Sequence, residues 1–124
     1  MINGNRHNVL TMSLNEYQKD AAEFAIYSWP IVYTALGLCS ESGELCGKIK
    51  KHIRDSKLKF DGSTRELTEA EKTELVAEAG DCLWYVSQFL KDIGVSMNDC
   101  AMQNLVKLAS RQRSGTLGGS GDNR

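Results

Sequence analysis

The sequence predicts an all-α protein, a four-helix bundle that assembles into oligomers. Apolar residues recur at the helical spacings of three, four and seven in four segments of the chain. A single proline, Pro30, stands among 124 residues, whereas all-β chains of this length usually carry several turn prolines. Because so short a chain buries a limited core, apolar stripes on every helix lead us to expect a homo-dimer or homo-tetramer.

The composition argues against several classes of protein. Lysine and arginine number 15 against 16 aspartate and glutamate, a net charge of −1, and general nucleic-acid binding needs a clear positive surplus. No segment reaches the roughly 18 apolar residues of a membrane span. The first residues, MINGNRHNVL, hold no apolar stretch of signal-peptide length. We therefore expect a cytoplasmic protein with neither a membrane nor a nucleic-acid partner.

The four cysteines form no C-x-x-C pair, which argues against a zinc site. In a reducing compartment thiols behave as small apolar side chains. We therefore expect all four to be buried: Cys39, Cys46, Cys82 and Cys100.

The first helix is predicted from a capping box formed by Ser13 and Glu16. Residues 1–12 before it are polar and are expected to form a flexible lead. The helix should run to about Ser28, because Trp29 precedes a proline and such a residue avoids the helical region. Its apolar face consists of Leu14, Tyr17, Ala21 and Phe24.

The second helix is predicted over residues 31–54, with Pro30 suited to its first turn. Residues 55–66 hold few apolar side chains and predict a connecting loop. The apolar positions of the helix follow helical spacing: Ile31, Ala35, Leu38, Leu45, Ile49 and Ile53.

Two further helices are predicted after this loop. Thr68 and Glu71 form a second capping box, and the third helix should run to about Ile93. Gly94 suits the position just past a helix end. Ser96 starts a fourth helix that continues to about residue 113, and the glycine-rich residues 114–124 form a tail. Residues 1–124 are thus one domain, and the third helix carries a core stripe of Leu75, Val76, Ala79, Leu83, Val86 and Leu90.

Four carboxylates in the two central helices are the most informative feature. Glu41 and Glu44 lie three residues apart on the second helix, and Glu78 and Asp81 repeat this spacing on the third. Such pairs share one helix face, where like charges repel. If the helices pack antiparallel, the four acids converge, and a hard cation such as Mg²⁺, or Mn²⁺, would offset their charge.

The alternative is that both acid pairs lie on solvated helix surfaces. One pair alone would favour that interpretation, but two pairs flanked by apolar residues favour a metal site. Each pair also contains a glycine, Gly43 or Gly80. Since a glycine inside a helix costs about 1 kcal/mol relative to alanine, we expect it to allow close helix approach or access for a ligand.

The acid pairs and their surroundings resemble the MazG-like nucleotide pyrophosphohydrolases, members of the all-α NTP pyrophosphatase superfamily. The resemblance covers about residues 13–113 and is carried by two segments, GLCSESGELCGKIKK and ELVAEAGDCLWYVSQFL. It implies a helical dimer or tetramer that hydrolyses a nucleoside triphosphate to the monophosphate and pyrophosphate and so trims the nucleotide pool. The positions that match the family's Mg²⁺-binding catalytic acids are Glu41, Glu44, Glu78 and Asp81.

The resemblance also implies substrate contacts. Asn104, Lys107 and Arg111 match the polar stripe of the fourth helix that meets the phosphates in this family. One position departs from it: many members have a further glutamate directly before the first metal acid, and here that residue is Ser40. Where that glutamate is proposed as the general base, this chain needs another acid, such as Glu44 or Glu74, or a hydroxide generated by the metal.

Other residues are weaker candidates for contacts with the nucleotide. Lys48 and Lys51 follow Glu44 by four and seven residues, so they lie near the face of the acids; a solvated helix end is the alternative. Trp29, at the junction of two helices, is a candidate for stacking on the base. Trp84 and Tyr85 are expected in the core or an interface, and His7 and His52 at the surface.

Two other functions remain open from the sequence. A phosphoribosyl-ATP pyrophosphohydrolase would share the four acids. A helical module that holds Mg-nucleotide, or a partner protein, without turnover would also fit, and Ser40 lends it some support. The composition of the tail favours a disordered end, whereas the family resemblance favours a lid over the nucleotide.

Overall fold

The computed structural model describes residues 11–58, 61 and 67–119. This part of the chain contains four α-helices and no strand, which confirms the all-α prediction. The predicted flexible lead lies outside the described residues apart from positions 11 and 12, as does the tail from residue 120 onward. The helices are α1 (Leu14–Ala21), α2 (Val32–Arg54), α3 (Glu69–Asp92) and α4 (Met97–Arg113), with a 3₁₀ turn over Ala22–Phe24 after α1.

Both predicted capping boxes are present. The Glu16 amide donates to Ser13 Oγ at 3.1 Å, and the Ser13 amide donates to the Glu16 carboxylate at 2.7 Å. Thr68 and Glu71 form the same reciprocal pair at the start of α3. These bonds satisfy amides that have no partner inside a helix. The starts of α1 and α3 are therefore fixed by residues one turn away, as the sequence predicted.

Helix α1 is shorter than predicted, since it ends at Ala21 rather than near Ser28. The indole Nε1 of Trp84 donates a hydrogen bond of 3.1 Å to the Ala21 carbonyl. That carbonyl stands at a helix end, where carbonyls lack partners within the helix. The distant Trp84 thus stabilises an early end that the local sequence does not signal.

Helices α2 and α3 form the central antiparallel pair of the fold, and polar contacts join them along their whole length. Fully buried residues lie on both members of the pair, Thr34 on α2 and Ser87 and Gln88 on α3. Close to the middle, Ser42 Oγ lies 3.7 Å from Cys82 Sγ. These polar contacts, in order along α2 and the residues after it, are Thr34 with Asp92, Ser42 with Cys82, Lys48 with Glu78, and Lys57 with Glu71.

The start of α2 has an unusual backbone. Ile31 has φ 71° and ψ −59°, and the Val32 amide donates to the Pro30 carbonyl at 2.8 Å, which together define a γ-turn with positive φ. This conformation is strained for a β-branched residue. Asp92, the last residue of α3, accepts a hydrogen bond of 2.9 Å from the Ile31 amide. One helix end therefore holds the beginning of the other.

The side chain of Gln18 connects α1 to the junction of α3 and α4. Its amide nitrogen donates to the Ser87 carbonyl at 3.1 Å and to the Val95 carbonyl at 3.0 Å. Its oxygen accepts from the Met97 amide at 3.1 Å. Gly94, with φ 76°, terminates α3 as predicted. α4 then packs against α1 and α3.

The apolar stripes are far more exposed than predicted. Of the stripe expected on α3, Leu90 is buried, but Val76 is 69% exposed and Leu83 41%. Polar residues of α3 are buried as well, including Ser87 and Gln88. The described core of apolar side chains consists of Ala21, Leu58, Leu67, Leu90 and Met97.

Two predictions of burial were wrong. Cys39 and Cys46 are exposed, and Cys82 and Cys100 are half-buried. Cys39 and Cys46 lie two helical turns apart on a side of α2 that the described residues leave uncovered. His52, expected at the surface, is only 8% exposed. The chain folds back after α2, and the amides of Lys57 and Leu58 both donate to the His52 carbonyl. The other histidine, His7, lies outside the described residues.

In the described part of the chain, every helix is too short or too polar to cross a membrane.

Candidate functional site

Three of the four predicted acids converge between the central helices. Glu41 and Glu44 come from the middle of α2, and Glu78 comes from the facing part of α3. One carboxylate oxygen of each lies within 4.8 Å of the other two. The spacing of three residues on α2 and the antiparallel packing of α3 produce this arrangement, whereas the sequence predicted convergence of all four acids. Three carboxylates at this separation can ligate one divalent cation.

Asp81 lies at the edge of this acidic group. Its side chain is exposed, and it does not belong to the three whose oxygens lie within 4.8 Å. Its charge nevertheless acts on the group, since Asp81 contributes to raising the pKa of Glu41. The structure therefore places Asp81 near the three acids rather than among them.

The acids create an unfavourable concentration of negative charge. Burial raises the pKa of Glu41, and the charges of Glu44, Asp81 and Glu78 raise it further. Lys48 partly offsets this charge: its Nζ lies 3.0 Å from Glu78 Oε1. The hydrogen bond to Glu78 raises the pKa of Lys48 and keeps it charged. A cation is thus favoured here on electrostatic grounds.

The glycines within the acid pairs do not mark close helix approach. A Cβ atom built on Gly43 or Gly80 meets no heavy atom within 4 Å in the described chain, so that part of the prediction was wrong. Close approach occurs at Gly37, where an added Cβ would lie 2.1 Å from Cε1 of Tyr85. Space beside the acids, rather than contact between helices, is what Gly43 and Gly80 provide.

The sequence model of a protein family, the MazG nucleotide pyrophosphohydrolase domain, matches residues 33–116 of the chain. This range contains all four acids together with nearly all of α2 and the whole of α3 and α4. The chain belongs to the MazG nucleotide pyrophosphohydrolase family.

A curated relative supports this membership without adding a function. The Gene 37 protein of Mycobacterium phage L5 is 36% identical over 121 residues, which cover 91% of this chain and 100% of that protein. No solved structure matches the chain significantly. Membership of the MazG family indicates nucleotide pyrophosphohydrolase activity in general, and the family typically uses divalent metals.

Two tyrosines that were not predicted as site residues lie near the MazG acids. A hydrogen bond with Tyr33 and burial raise the pKa of Tyr85 to about 12, and the charges of Glu41 and Asp81 add to this effect. Burial also raises the pKa of Tyr17 on α1, with a contribution from Asp81. Tyr85 stands four residues after Asp81, a spacing that places both on one helix face. For Tyr17 no local signal exists.

The other predicted substrate contacts lie in different surroundings. Asn104 and Lys107 line a cavity of about 400 Å³ beside residues 90–95. Arg111 is buried at 7% exposure. Trp29 is 78% exposed before the start of α2, and Lys51 is exposed near its end. Lys48 forms an ion pair with one acid of the group, Glu78.

Proposed function

We propose that this MazG protein hydrolyses ribonucleoside or deoxyribonucleoside triphosphates to the monophosphate and pyrophosphate. The reaction uses a divalent cation, and it trims the cytoplasmic nucleotide pool. One observation carries the proposal: Glu41, Glu44 and Glu78 present oxygens within 4.8 Å of one another from two helices. Such a group is costly unless a positive charge lies within it. A triphosphate brings further negative charge, which makes a cation still more necessary.

The residues present fit a hard divalent cation. All three donors are carboxylates, the ligands preferred by Mg²⁺ and acceptable to Mn²⁺. Asp81 is near enough to influence Glu41 electrostatically and is the fourth candidate ligand. When bound, such an ion would offset phosphate charge and lower the pKa of a water molecule.

The proposed reaction is an in-line displacement at the α-phosphorus. The oxygen of a water molecule forms a bond to this phosphorus while the bond to the bridging oxygen breaks, and pyrophosphate leaves with the bonding electrons. A carboxylate accepts the proton of the water. Glu44 and Glu74 are both exposed and remain the candidates, since the position before Glu41 is Ser40.

Release of pyrophosphate tests this proposal directly. A panel of NTPs, dNTPs and phosphoribosyl-ATP is incubated with Mg²⁺ or with EDTA, and the products are identified. We expect pyrophosphate and monophosphate with Mg²⁺ only. In ¹⁸O-labelled water the label should enter the monophosphate, because water attacks the α-phosphorus. Turnover of phosphoribosyl-ATP alone would support the second enzyme function instead.

Substitution of one acid separates catalysis from a binding role. Glu78→Gln should reduce turnover at least about 100-fold, because it removes a charged ligand from the group. Glu69→Gln is the matched control: the same change on the same helix at an exposed residue paired with Lys72, and it should leave turnover within about twofold. Absence of turnover across the whole panel in the wild-type protein would contradict the proposal and favour a module that binds nucleotide without hydrolysis.

We further propose that the active form is a homo-oligomer. An apolar groove of about 410 Å³ runs along α2 and is lined by Leu45, Cys46, Ile49 and Ile53 together with Lys50. On α4, Leu105 and Val106 are about 60% exposed. Surfaces of this kind are uncommon on a monomer. A second copy would cover them and bring a second set of α4 residues within reach of the acids.

Sedimentation tests the oligomer. The wild-type protein should sediment as a dimer or tetramer, and Leu105→Lys should shift it toward the monomer with loss of turnover. Lys19→Ala, an exposed change on α1, should leave the assembly intact. A monomer with full activity would refute this part of the proposal.

A further inference from the structure

The side chain of Lys48 places a positive charge beside the acidic group. Its Nζ lies 3.0 Å from Glu78 Oε1, and the two side chains are 32% and 11% exposed. Lys48 follows Glu44 by one helical turn on α2, so its ammonium group enters the site from the side of the same helix. Glu78 is the buried member of the three converging acids. The ion pair therefore occupies one of the two oxygens of the most enclosed acid and offsets part of its charge.

A lysine ammonium and a divalent cation compete for the same carboxylate. An ammonium group supplies one positive charge and donates hydrogen bonds, while a metal requires a lone pair of the carboxylate oxygen. A carboxylate has two oxygens with about four lone pairs, so the competition is chiefly one of charge: each cation lowers the negative charge that Glu78 offers to the other. Entry of a metal at Glu41, Glu44 and Glu78 therefore weakens the Lys48–Glu78 contact, and breaks it where the metal takes Oε1.

We propose that a divalent metal competes with Lys48 for Glu78 and weakens or displaces this ion pair, so that the lysine lowers the affinity of the acids for metal. The inference rests on the proposed function only in that it takes these acids as the metal ligands. Displacement frees an ammonium group beside a site that receives phosphates. The lysine exchanges one anionic partner, Glu78, for another, a phosphate oxygen of the substrate. Metal binding and phosphate binding are then favourably coupled through one side chain.

Calorimetric titration of Mg²⁺ into the nucleotide-free protein tests the displacement, with Mn²⁺ as a second probe. Lys48→Gln removes the competitor and should tighten metal binding about fivefold, the effect expected for a partly exposed ion pair. Lys48→Arg retains a positive charge that can pair with Glu78 and should bind metal no more tightly than the wild type. Unchanged or weaker metal binding in Lys48→Gln would overturn the inference.

Lys51→Gln is the matched control for net charge. It makes the same change on the same helix, three residues further on, at an exposed position. We expect its metal affinity to stay within about twofold of the wild type. If Lys51→Gln tightens metal binding as much as Lys48→Gln does, the effect is one of overall charge, and displacement is refuted.

A second titration tests the exchange of partners. With Mg²⁺ at saturation, Lys48→Gln should bind a triphosphate analogue that resists hydrolysis more weakly than the wild type, the opposite sign to its effect on metal. Lys48→Arg should restore that affinity. Equal affinity in all three proteins would exclude a role for Lys48 in the coupling.

The outcomes distinguish this inference from the proposed function. Absence of metal binding in the wild type, or undiminished binding in Glu78→Gln, would refute both, since the acids would not be the ligands. If metal binding is lost in Glu78→Gln but metal affinity is unchanged in Lys48→Gln, only the inference about Lys48 is refuted. Circular dichroism of each variant confirms that the helices remain folded.

Discussion

Tyr85 lies directly over Gly37, so that a methyl group on this glycine would stand 2.1 Å from ring carbon Cε1. The ring has little freedom to move away. It packs edge-on against Trp84 with centroids 5.0 Å apart, and it lies 6.1 Å from the ring of Tyr33. The absence of a side chain at residue 37 is therefore what allows the aromatic residues of α3 to pack against α2.

Gly37→Ala should destabilise the protein. Forcing a methyl group into a filled space costs about 1–3 kcal/mol, which outweighs the gain of about 1 kcal/mol in helix propensity. We expect a net loss of up to about 2 kcal/mol in the free energy of unfolding, measured by urea denaturation. Gly43→Ala is the control on the same helix, because an added Cβ there meets nothing within 4 Å in the described chain. It should gain up to about 1 kcal/mol; equal gains in both variants would contradict the packing argument.

Gln18→Ala should be more costly than other changes on α1. It removes three hydrogen bonds and leaves two carbonyls and the Met97 amide without this partner. Unsatisfied buried groups cost about 1–3 kcal/mol each, reduced here because the site is partly exposed, so we expect a loss of about 2 kcal/mol. Lys19→Ala, at the exposed neighbouring position, should change the unfolding free energy by less than about 0.5 kcal/mol. Similar losses in the two variants would exclude the proposed role of Gln18.

Asp92→Asn should loosen the beginning of α2. The carboxylate accepts from Tyr27 Oη at 2.7 Å, from the Ile31 amide and from Thr34 Oγ1. Burial alone would raise the pKa of Asp92, but these hydrogen bonds outweigh it and lower the pKa. An amide keeps one acceptor oxygen and presents an NH₂ group to the remaining donors. We expect a loss of about 2 kcal/mol in urea denaturation.

The same variant offers a spectroscopic check. Burial, the hydrogen bond to Asp92 and the charge of Asp92 together raise the pKa of Tyr27 to about 12. In Asp92→Asn this tyrosine should ionise at lower pH, which a tyrosinate absorbance titration detects. An unchanged titration curve would show that Asp92 does not hold Tyr27.

Glu71 should make the protein more stable above pH 4.5 than in acid. The hydrogen bond from Lys57 and that from the Thr68 amide lower the pKa of Glu71 from 4.5 to about 2. A carboxyl with a lowered pKa contributes stability that is present above its unfolded pKa and lost as pH falls through its folded pKa. Between pH 4.5 and about 2, the unfolding midpoint should therefore decline.

Glu71→Gln should reduce this acid dependence, since it removes the titrating group while an amide oxygen still accepts from Thr68. Glu69→Gln, at an exposed position in the first turn of α3, should retain the wild-type slope. Parallel slopes for wild type and Glu71→Gln would rule Glu71 out as the cause.

The sequence predicted the features that depend on neighbouring residues. The capping boxes at Ser13 and Thr68 need only a partner three residues away, and the acids on one helix share a face by spacing alone. The end of α1 at Ala21 was missed because its carbonyl is bound by Trp84, a residue more than sixty positions away.

Predictions that depend on the rotation of a helix about its own axis were less successful. Glu78, Ser87 and Gln88 of α3 are buried while Val76 of the expected apolar stripe is exposed, so the helix does not turn that stripe as a whole toward the core. The position of Asn104 and Lys107 beside residues 90–95 follows from how α4 packs, which no periodicity specifies. His52 is buried by the chain that folds back over it.

The polar contacts between α2 and α3 determine which residues face one another. The paired residues follow one another forward along α2 and backward along α3, as antiparallel helices require. The pairs are Thr34 with Asp92, Ser42 with Cys82, Lys48 with Glu78, and Lys57 with Glu71. An apolar seam could slide by a helical turn and still bury the same area, but here a slide would break every one of these pairs together. It would also carry Glu78 about 5.4 Å away from the acids of α2. We therefore expect these side chains to determine how the two helices are aligned, more than how strongly they associate.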